Sequence, residues 1–337
     1  MKIAIDAMGG DKGLSVVIPA VKQVLDNDKD GLQIVLVGIE SEINDMLIKY
    51  KVKSPQLSVV HASEFITMDE SPALALRYKK DSSIRVAANL LKANKADALV
   101  SSGNTGALMA ISKFVLKTIP GVTRPAIISA IPTIKGHTYL LDLGANIDCS
   151  AENLYQFAIM GAILKSSLSN GEIKPKVALL NIGEEELKGT ESIREASKLL
   201  SKNKYINYIG YIEGSDIYCD VADVIVCDGF VGNVALKTSE GLSQFISDIF
   251  KKAYTKSWYT KLLGLLTMPI VNSIREQLDP KNYNGASLIG LNNIVIKSHG
   301  SADVKAFTQA IMRAKEAIDH NLITHLKDKA WMLDHNQ

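Results

Sequence analysis

Cysteine is scarce in this sequence of 337 residues. Cys149, Cys219 and Cys227 have neither a CxxC spacing nor another spacing typical of metal sites. Cys227 ends the apolar run 224–227, which favours a buried small side chain over a catalytic nucleophile. Three scattered cysteines favour a reducing compartment over a disulfide framework.

Long apolar runs and a large charge excess are also missing. The sequence has no uncharged apolar run of about 18 residues, the length needed to span a bilayer. Its first residues reach Asp6 too soon for a signal peptide, so we expect a cytoplasmic protein. The formal net charge of +2 does not suit nucleic acid, and any basic surface for a partner must therefore be local.

Nucleotide and metal signatures are absent as well. Neither GxxxxGK[ST] nor a GxGxxG that opens a helix after a strand occurs, which disfavours nucleotide and nicotinamide cofactors. The six histidines include no HExxH, and the spacing of His320 and His325 does not suit a shared metal ion. We therefore predict an enzyme that has no cofactor and no metal.

Short apolar runs that end at Gly or Asp alternate with helical patterns. The predicted strands are residues 2–5, 33–37, 57–60, 98–101, 138–143, 177–181, 208–212 and 224–228, and helices are predicted at 84–95, 153–167 and 190–201. This alternation predicts an α/β fold with a mostly parallel sheet covered on both faces. No repeat or linker divides the chain, so residues 1–337 are predicted to form one domain.

Residues 241–280 depart from this alternation, because they read as helices without an intervening strand. Their centre, residues 256–269, combines lysines, two aromatic residues and a leucine cluster. An amphipathic segment of this kind suits a membrane surface, where Trp258, Leu262, Leu263, Leu265 and Leu266 would make contact. A core helix or a dimer-interface helix explains the pattern equally well.

Glycine-rich strand ends are the clearest candidate binding motifs. Ligands bind where strands end in doubly wound sheets, because loop amides and helix amino termini converge there. Residues 101–106 and 228–233 suit an anion, although each alone is also consistent with a tight turn. Lys188 stands among three acidic residues in the loop 181–189, and spacing alone favours a solvated charged loop there.

Taken together, these motifs resemble the bacterial phosphate acyltransferase family, the acyl carrier protein:phosphate transacylases. The matching segments are residues 6–11, 102–107, 123–126, 142–146, 181–189, 228–237, 283–291 and 297–301. They occur in family order over residues 1 to about 320. The sequence departs from the family at Gly13-Leu14, where Ala-Pro is usual, and at Asn284-Gly285, where Gly-Gly is usual. Both departures affect loop geometry only.

The resemblance implies a three-layer α/β/α fold of the isocitrate/isopropylmalate dehydrogenase type. It implies transfer of a long-chain acyl group from acyl carrier protein to inorganic phosphate, with CoA thioesters as substitutes. The acyl phosphate would pass to an acyl-phosphate-using glycerol-3-phosphate acyltransferase for phosphatidic acid and phospholipid synthesis. A homodimer with peripheral contact to the cytoplasmic membrane is also implied.

We assign roles to the residues of these segments as hypotheses. Lys188 would hold phosphate or stabilise developing charge, Asn233 would donate to the oxyanion, and His299 would protonate the leaving thiolate, bind phosphate or be structural. The predicted phosphate-binding residues are Gly9, Gly10, Ser102, Gly103, Asn104, Thr105, Gly106 and Gly232. Arg77, Lys79 and Lys80 would dock the acidic carrier protein, although a solvated helix face explains them equally well.

Three other functions fit parts of the sequence. A short-chain phosphate acetyltransferase or butyryltransferase that uses CoA shares the chemistry and differs in acyl length. A metal-dependent hydroxyacid dehydrogenase shares the implied fold but lacks a cofactor fingerprint. A non-catalytic membrane scaffold would explain residues 256–269 but leaves the glycine-rich strand ends without a purpose.

Overall fold

The computed structural model describes residues 1–28 and 30–334, and these form one continuous eleven-stranded sheet. The strands are β1 (Lys2–Asp6), β2 (Gln33–Gly38), β3 (Leu57–His61), β4 (Ala98–Ser101), β5 (Ala126–Pro132), β6 (His137–Leu141), β7 (Lys176–Leu180), β8 (Asn207–Ile212), β9 (Val224–Val226), β10 (Ala286–Ile289) and β11 (Ile294–Lys297). Their order across the sheet is β3-β2-β1-β4-β11-β10-β5-β6-β9-β7-β8.

Helices cover both faces of the sheet. They are α1 (Leu14–Asn27), α2 (Glu40–Lys49), α3 (Pro72–Tyr78), α4 (Ser83–Lys92), α5 (Thr105–Leu116), α6 (Ala151–Leu168), α7 (Glu191–Lys202), α8 (Gly229–Thr255), α9 (Trp258–Leu278), α10 (Val304–Asp319) and α11 (Leu322–Asp328). Side chains alternate along β1, so Ile3 and Ile5 join the apolar core on one face and Ala4 joins the other. The predicted three-layer α/β/α fold with a mostly parallel sheet is confirmed.

The sheet changes direction at its centre. β10 is antiparallel to both β11 and β5, and β5 forms an antiparallel pair with β6. The strands β6, β9, β7 and β8 therefore run opposite to β1, β2, β3, β4 and β11. The glycine-rich ends of β1, β4 and β11 therefore leave one edge of the sheet, and those of β6, β7 and β9 leave the opposite edge.

Most of the stretch 241–280 lies in two helices, the second half of α8 and the whole of α9. Asp228 caps α8 by accepting a hydrogen bond from Val231 N at 2.8 Å, and Ser257 caps α9. The two helices pack together where Tyr254 lies against Gly264. No described helix is both long enough and apolar enough to cross a bilayer.

Candidate functional site

The loops that follow β1, β4 and β11 pack directly on one another. A Cβ atom on Gly9 would lie 2.6 Å from Gly103 N, and one on Gly10 would lie 2.6 Å from Ser102 Oγ. Ser102 Oγ donates to Gly9 O at 2.9 Å. The structure thus brings together Gly9, Gly10, Ser102 and Gly103, here called the glycine cluster, and its close packing leaves no room for side chains at Gly9 and Gly10.

A buried carboxyl group lies beneath the glycine cluster. Asp6 Oδ2 accepts a hydrogen bond from Ser101 Oγ at 2.6 Å, and Ser101 Oγ accepts one from Gly103 N at 3.0 Å. Burial raises the pKa of Asp6. The amide of Gly103 is therefore used inside the protein, and this network sets the shape of the cluster.

The side chain of Asn104 caps α5 and binds the segment before α3. Its Oδ1 accepts from Ala107 N at 3.0 Å, and its Nδ2 donates to the carbonyl oxygens of Met68 and Glu70, both at 2.9 Å. Thr105 begins α5, and Gly106 packs against Pro72 of α3, where an added Cβ would lie 2.6 Å from Pro72 Cγ. The phosphate-binding role predicted for residues 104–106 stays a prediction and rests on backbone amides.

Sequence reasoning missed Lys297, which is buried at the end of β11. Its Nζ donates to Ser102 O at 3.3 Å and also to Ser298 O. Burial lowers the pKa of Lys297 to about 8, although the charges of Asp6 and Asp11 act in the opposite direction. The sequence feature that could have identified Lys297 is a lysine at the end of an otherwise apolar strand.

His299 follows β11 and contacts α8. Its Nε2 lies 3.3 Å from Lys237 Nζ, and its Nδ1 lies 2.9 Å from Ser301 Oγ. Its backbone N donates to Asn284 Oδ1 at 2.9 Å. Burial, and then the charge of Lys237, lower the pKa of His299, so its imidazole is neutral near pH 7. Lys237 was inside a family-like segment but had no predicted role.

The start of α8 lies at the opposite edge of the sheet, against the loop after β6. A Cβ on Gly232 would lie only 1.9 Å from Asp142 O, so glycine is required for this approach. Gly144 packs against Asn233, with 3.5 Å between a Cβ built on the glycine and the Cβ of Asn233. Lys237, one helical turn beyond Asn233, contacts His299, so α8 links the loop after β6 with the loop after β11.

Lys188 is held in its own loop. Its Nζ lies 2.8 Å from Glu185 Oε2, and a Cβ on Gly183 would lie 2.5 Å from Lys188 Cδ. The hydrogen bond that Lys188 donates to Glu185 raises the pKa of Lys188. The structure places Lys188 after β7, at the edge away from the glycine cluster, and its catalytic role stays a prediction.

The predicted carrier-docking residues lie on or just after α3. Arg77 stacks on Tyr78 with 5.3 Å to the ring centroid, and both side chains are exposed, as is Lys80. Lys79 is turned inward, where its Nζ binds Glu70 Oε2 at 2.8 Å and Phe65 O at 2.6 Å. Arg77 and Lys80 are thus the accessible cations of this segment.

The five predicted membrane-contact residues of α9 are all exposed. They are Trp258, Leu262, Leu263, Leu265 and Leu266. Within residues 1–28 and 30–334, no group of three or more His, Cys, Asp or Glu residues is arranged to hold a metal ion.

Most of the chain is similar to known proteins in sequence and in fold. The family described as "Fatty acid synthesis protein" matches residues 1–325. A phosphate acyltransferase from Methylococcus capsulatus is 51% identical over 331 residues and 97% of both chains, and one from Nitrosococcus oceani is 49% identical over 330 residues and 96% of both chains. The crystal structure of a phosphotransacetylase from Streptococcus pyogenes has a TM-score of 0.62 at 19% identity, with 95% of this chain and 94% of that chain covered, which shows a shared fold.

Proposed function

The chain belongs to the fatty acid synthesis protein family, and we propose that it transfers a long-chain fatty acyl group from acyl carrier protein to inorganic phosphate. The observation that carries this proposal is the nearly full-length similarity to phosphate acyltransferases. The product, an acyl phosphate, is an activated acyl donor for phospholipid synthesis. An acyl-phosphate-using glycerol-3-phosphate acyltransferase would consume it.

The reaction needs positioning and charge stabilisation more than a covalent enzyme intermediate. A phosphate oxygen attacks the thioester carbonyl carbon, and a C–O bond forms as the carbonyl oxygen becomes an oxyanion. The oxyanion collapses, the C–S bond breaks, and the carrier leaves as a thiolate that takes up a proton. A thioester is already activated, so bringing phosphate and carbonyl together supplies much of the acceleration.

The described residues can be assigned to these steps. The start of α5 would bind phosphate, because first-turn amides of a helix lack intrahelical acceptors, and the adjacent glycine cluster would let the anion approach the backbone closely. Asn233 would donate to the oxyanion. His299, neutral near pH 7, would donate an N–H hydrogen bond to the leaving thiolate, which takes its proton from water. Lys188 would leave its exposed pair with Glu185 to stabilise negative charge.

Trapping with hydroxylamine tests the function. The protein is mixed with palmitoyl-carrier protein and phosphate, and a palmitoyl hydroxamate is expected only when phosphate is present. Acetyl-CoA in a parallel reaction tests the short-chain alternative. A hydroxamate yield that does not depend on phosphate, or one seen only with acetyl-CoA, would contradict the proposal.

The position of α3 supports carrier docking beside the candidate phosphate site. Pro72 at its start packs on Gly106, and the preceding segment is held by Asn104. A carrier protein bound to Arg77 and Lys80 would therefore lie next to the loop after β4. Acyl carrier protein is acidic, so these exposed cations suit it.

The exposed faces of α8 and α9 support contact with a membrane and with a second copy of the chain. Phe245 and Ile249 on α8 are 61% and 49% exposed, and Leu265 and Leu266 on α9 are 66% and 72% exposed. An exposed apolar surface of this extent is typical of an interaction site. We assign homodimer formation to α8 and membrane contact to α9. A monomer mass measured by sedimentation equilibrium would contradict the homodimer.

A further inference from the structure

α8 brings a lysine to the loop that follows β11. Lys237 Nζ lies 3.3 Å from His299 Nε2 and 2.7 Å from Glu240 Oε2, and the side chain of Lys237 is 51% exposed. We propose that Lys237 is a ligand of the phosphate co-substrate and holds it together with His299. The proposal rests on the proposed function, since it concerns the phosphate of that reaction.

Positive charge beside His299 supports an anion at this position. The charge of Lys237 lowers the pKa of His299 and also that of Lys297, and Lys297 acts on His299 in the same direction. The side chains of Lys237, Lys297 and His299 therefore form a locally positive site that a bound anion would stabilise. Asp6, Asp11 and Glu240 face these groups as well, but Glu240 is the one paired directly with Lys237.

Glu240 can act as the counter-ion that phosphate displaces. Its pair with Lys237 is made along one exposed helix turn, and pairs of this kind are weak because water screens them. A phosphate dianion carries more charge than one carboxylate and can accept several hydrogen bonds at once. Lys237 can therefore exchange one partner for the other without moving α8.

Lys237 is also placed for the chemistry. Residues four apart on a helix have Cβ atoms about 6 Å apart on the same side. Asn233, the proposed oxyanion donor, and Lys237 are related in this way. A phosphate on Lys237 and a carbonyl on Asn233 would thus be neighbours, whereas Lys188 is held in its own loop by Glu185.

Steady-state kinetics of Lys237→Met test the assignment. We expect KM for phosphate to rise about tenfold or more, as for loss of a hydrogen bond to a charged group, while KM for the acyl donor stays within about twofold. Lys237→Arg should recover part of the loss. The control is Lys198→Met, which removes an exposed lysine from a similar pair with Glu195 on α7 and should behave as the parent. An unchanged phosphate KM, or equal changes in both KM values, would overturn the proposal.

Calorimetric titration with inorganic phosphate separates this proposal from the proposed function, because it needs no turnover. We expect the parent to bind phosphate, Lys237→Met to bind it about tenfold more weakly, and Glu240→Gln to bind it more tightly because a competing charge is gone. Equal binding by parent and Lys237→Met, or weaker binding by Glu240→Gln, would refute the role of Lys237. A parent that binds phosphate through Lys237 but forms no acyl phosphate would refute the proposed function alone.

Discussion

At the scale of single residues, two asparagines in predicted binding motifs have different surroundings. The side chain of Asn104 caps α5 and binds carbonyl groups of the segment before α3. The side chain of Asn233 is exposed beside Gly144. Asn104 therefore contributes to stability, and Asn233 is available to a substrate.

Substitution of each asparagine by alanine separates the two tasks. Asn233→Ala should lower turnover by on the order of 10²–10³, the usual effect of removing an oxyanion donor, with little change in the melting temperature. Asn104→Ala should lower the free energy of unfolding by about 1 kcal/mol or more through loss of a helix cap. Single-turnover rates and thermal unfolding measure both effects. Turnover by Asn233→Ala within a few fold of the parent would remove its assignment.

Lys297 predicts a pH dependence of phosphate binding. Its pKa of about 8 means that the buried ammonium, faced by Asp6, Asp11 and Lys237, is charged below that pH and neutral above it. Because the charged form attracts an anion, kcat/KM for phosphate should fall as pH rises through about 8. Measured between about pH 6.5 and 9.5, this inflection should vanish in Lys297→Met. The same inflection in the variant would assign it to another group.

At the scale of elements, the approach of α8 to the loop after β6 depends on one glycine. Gly232→Ala would force a Cβ against Asp142 O, a backbone atom that cannot rotate away. We expect a loss of about 1–3 kcal/mol in the free energy of unfolding and on the order of 10² in turnover, because Asn233 and Lys237 shift with the helix. Thermal unfolding and kcat measure these changes.

Gly241 is the matched control on the same helix, because a Cβ built there has no neighbour within 4 Å. Gly241→Ala should keep full turnover and raise the free energy of unfolding by about 0.5–1 kcal/mol, since alanine favours a helix interior. Equal behaviour of the two variants would mean that contact with Asp142 does not position α8.

Local sequence patterns predicted most elements but not how the sheet is joined at its centre. The predicted helix at 153–167 corresponds to Ala151–Leu168, and the predicted strand at 98–101 is β4. β10 and β11, with four residues each, were not among the predicted strands. The pairing of β10 with β5 joins residues about 160 positions apart, which no local pattern records.

The candidate site was predictable in part for the same reason. The glycine cluster was predictable because its glycine-rich loops follow β1 and β4. These strands are parallel and adjacent, so the loops leave the sheet side by side. The contact between Lys237 and His299 depends on how a long helix lies across the sheet. Its direction follows from the reversal at β10 and β5, which the sequence did not indicate.

At the scale of the whole molecule, the net charge is close to neutral, so an acidic partner must be attracted by local basic residues such as Arg77 and Lys80. Arg77→Glu with Lys80→Glu should raise KM for a carrier-linked donor about tenfold and leave KM for a CoA donor within about twofold. Lys202→Glu with Lys204→Glu, two exposed lysines at and after the end of α7, is the control for net charge. Equal effects on both donors would argue against docking at Arg77 and Lys80.

Contact with a membrane is tested by flotation with vesicles that contain anionic phospholipid. Changing Leu262, Leu265 and Leu266 to Ser should abolish flotation, because these exposed side chains would supply the buried apolar area. Formation of acyl phosphate from the carrier-linked donor should stay within about twofold of the parent. Ile48→Ser removes an exposed apolar residue on α2 and should float normally. Unchanged flotation of the triple variant would exclude α9 as the contact.

The 27 residues of α8 form a rod about 40 Å long, held at Gly232 near one end. If the rod pivots there by ten degrees, its far end, which leads into α9, travels about 6 Å, whereas Lys237 travels about 1 Å. A movement of the outer helices at a surface therefore displaces Lys237, the contact of His299, several-fold less than it displaces the far end of α8. The far end of α8 can thus tilt with the surface that it contacts while Lys237 and His299 keep their distance.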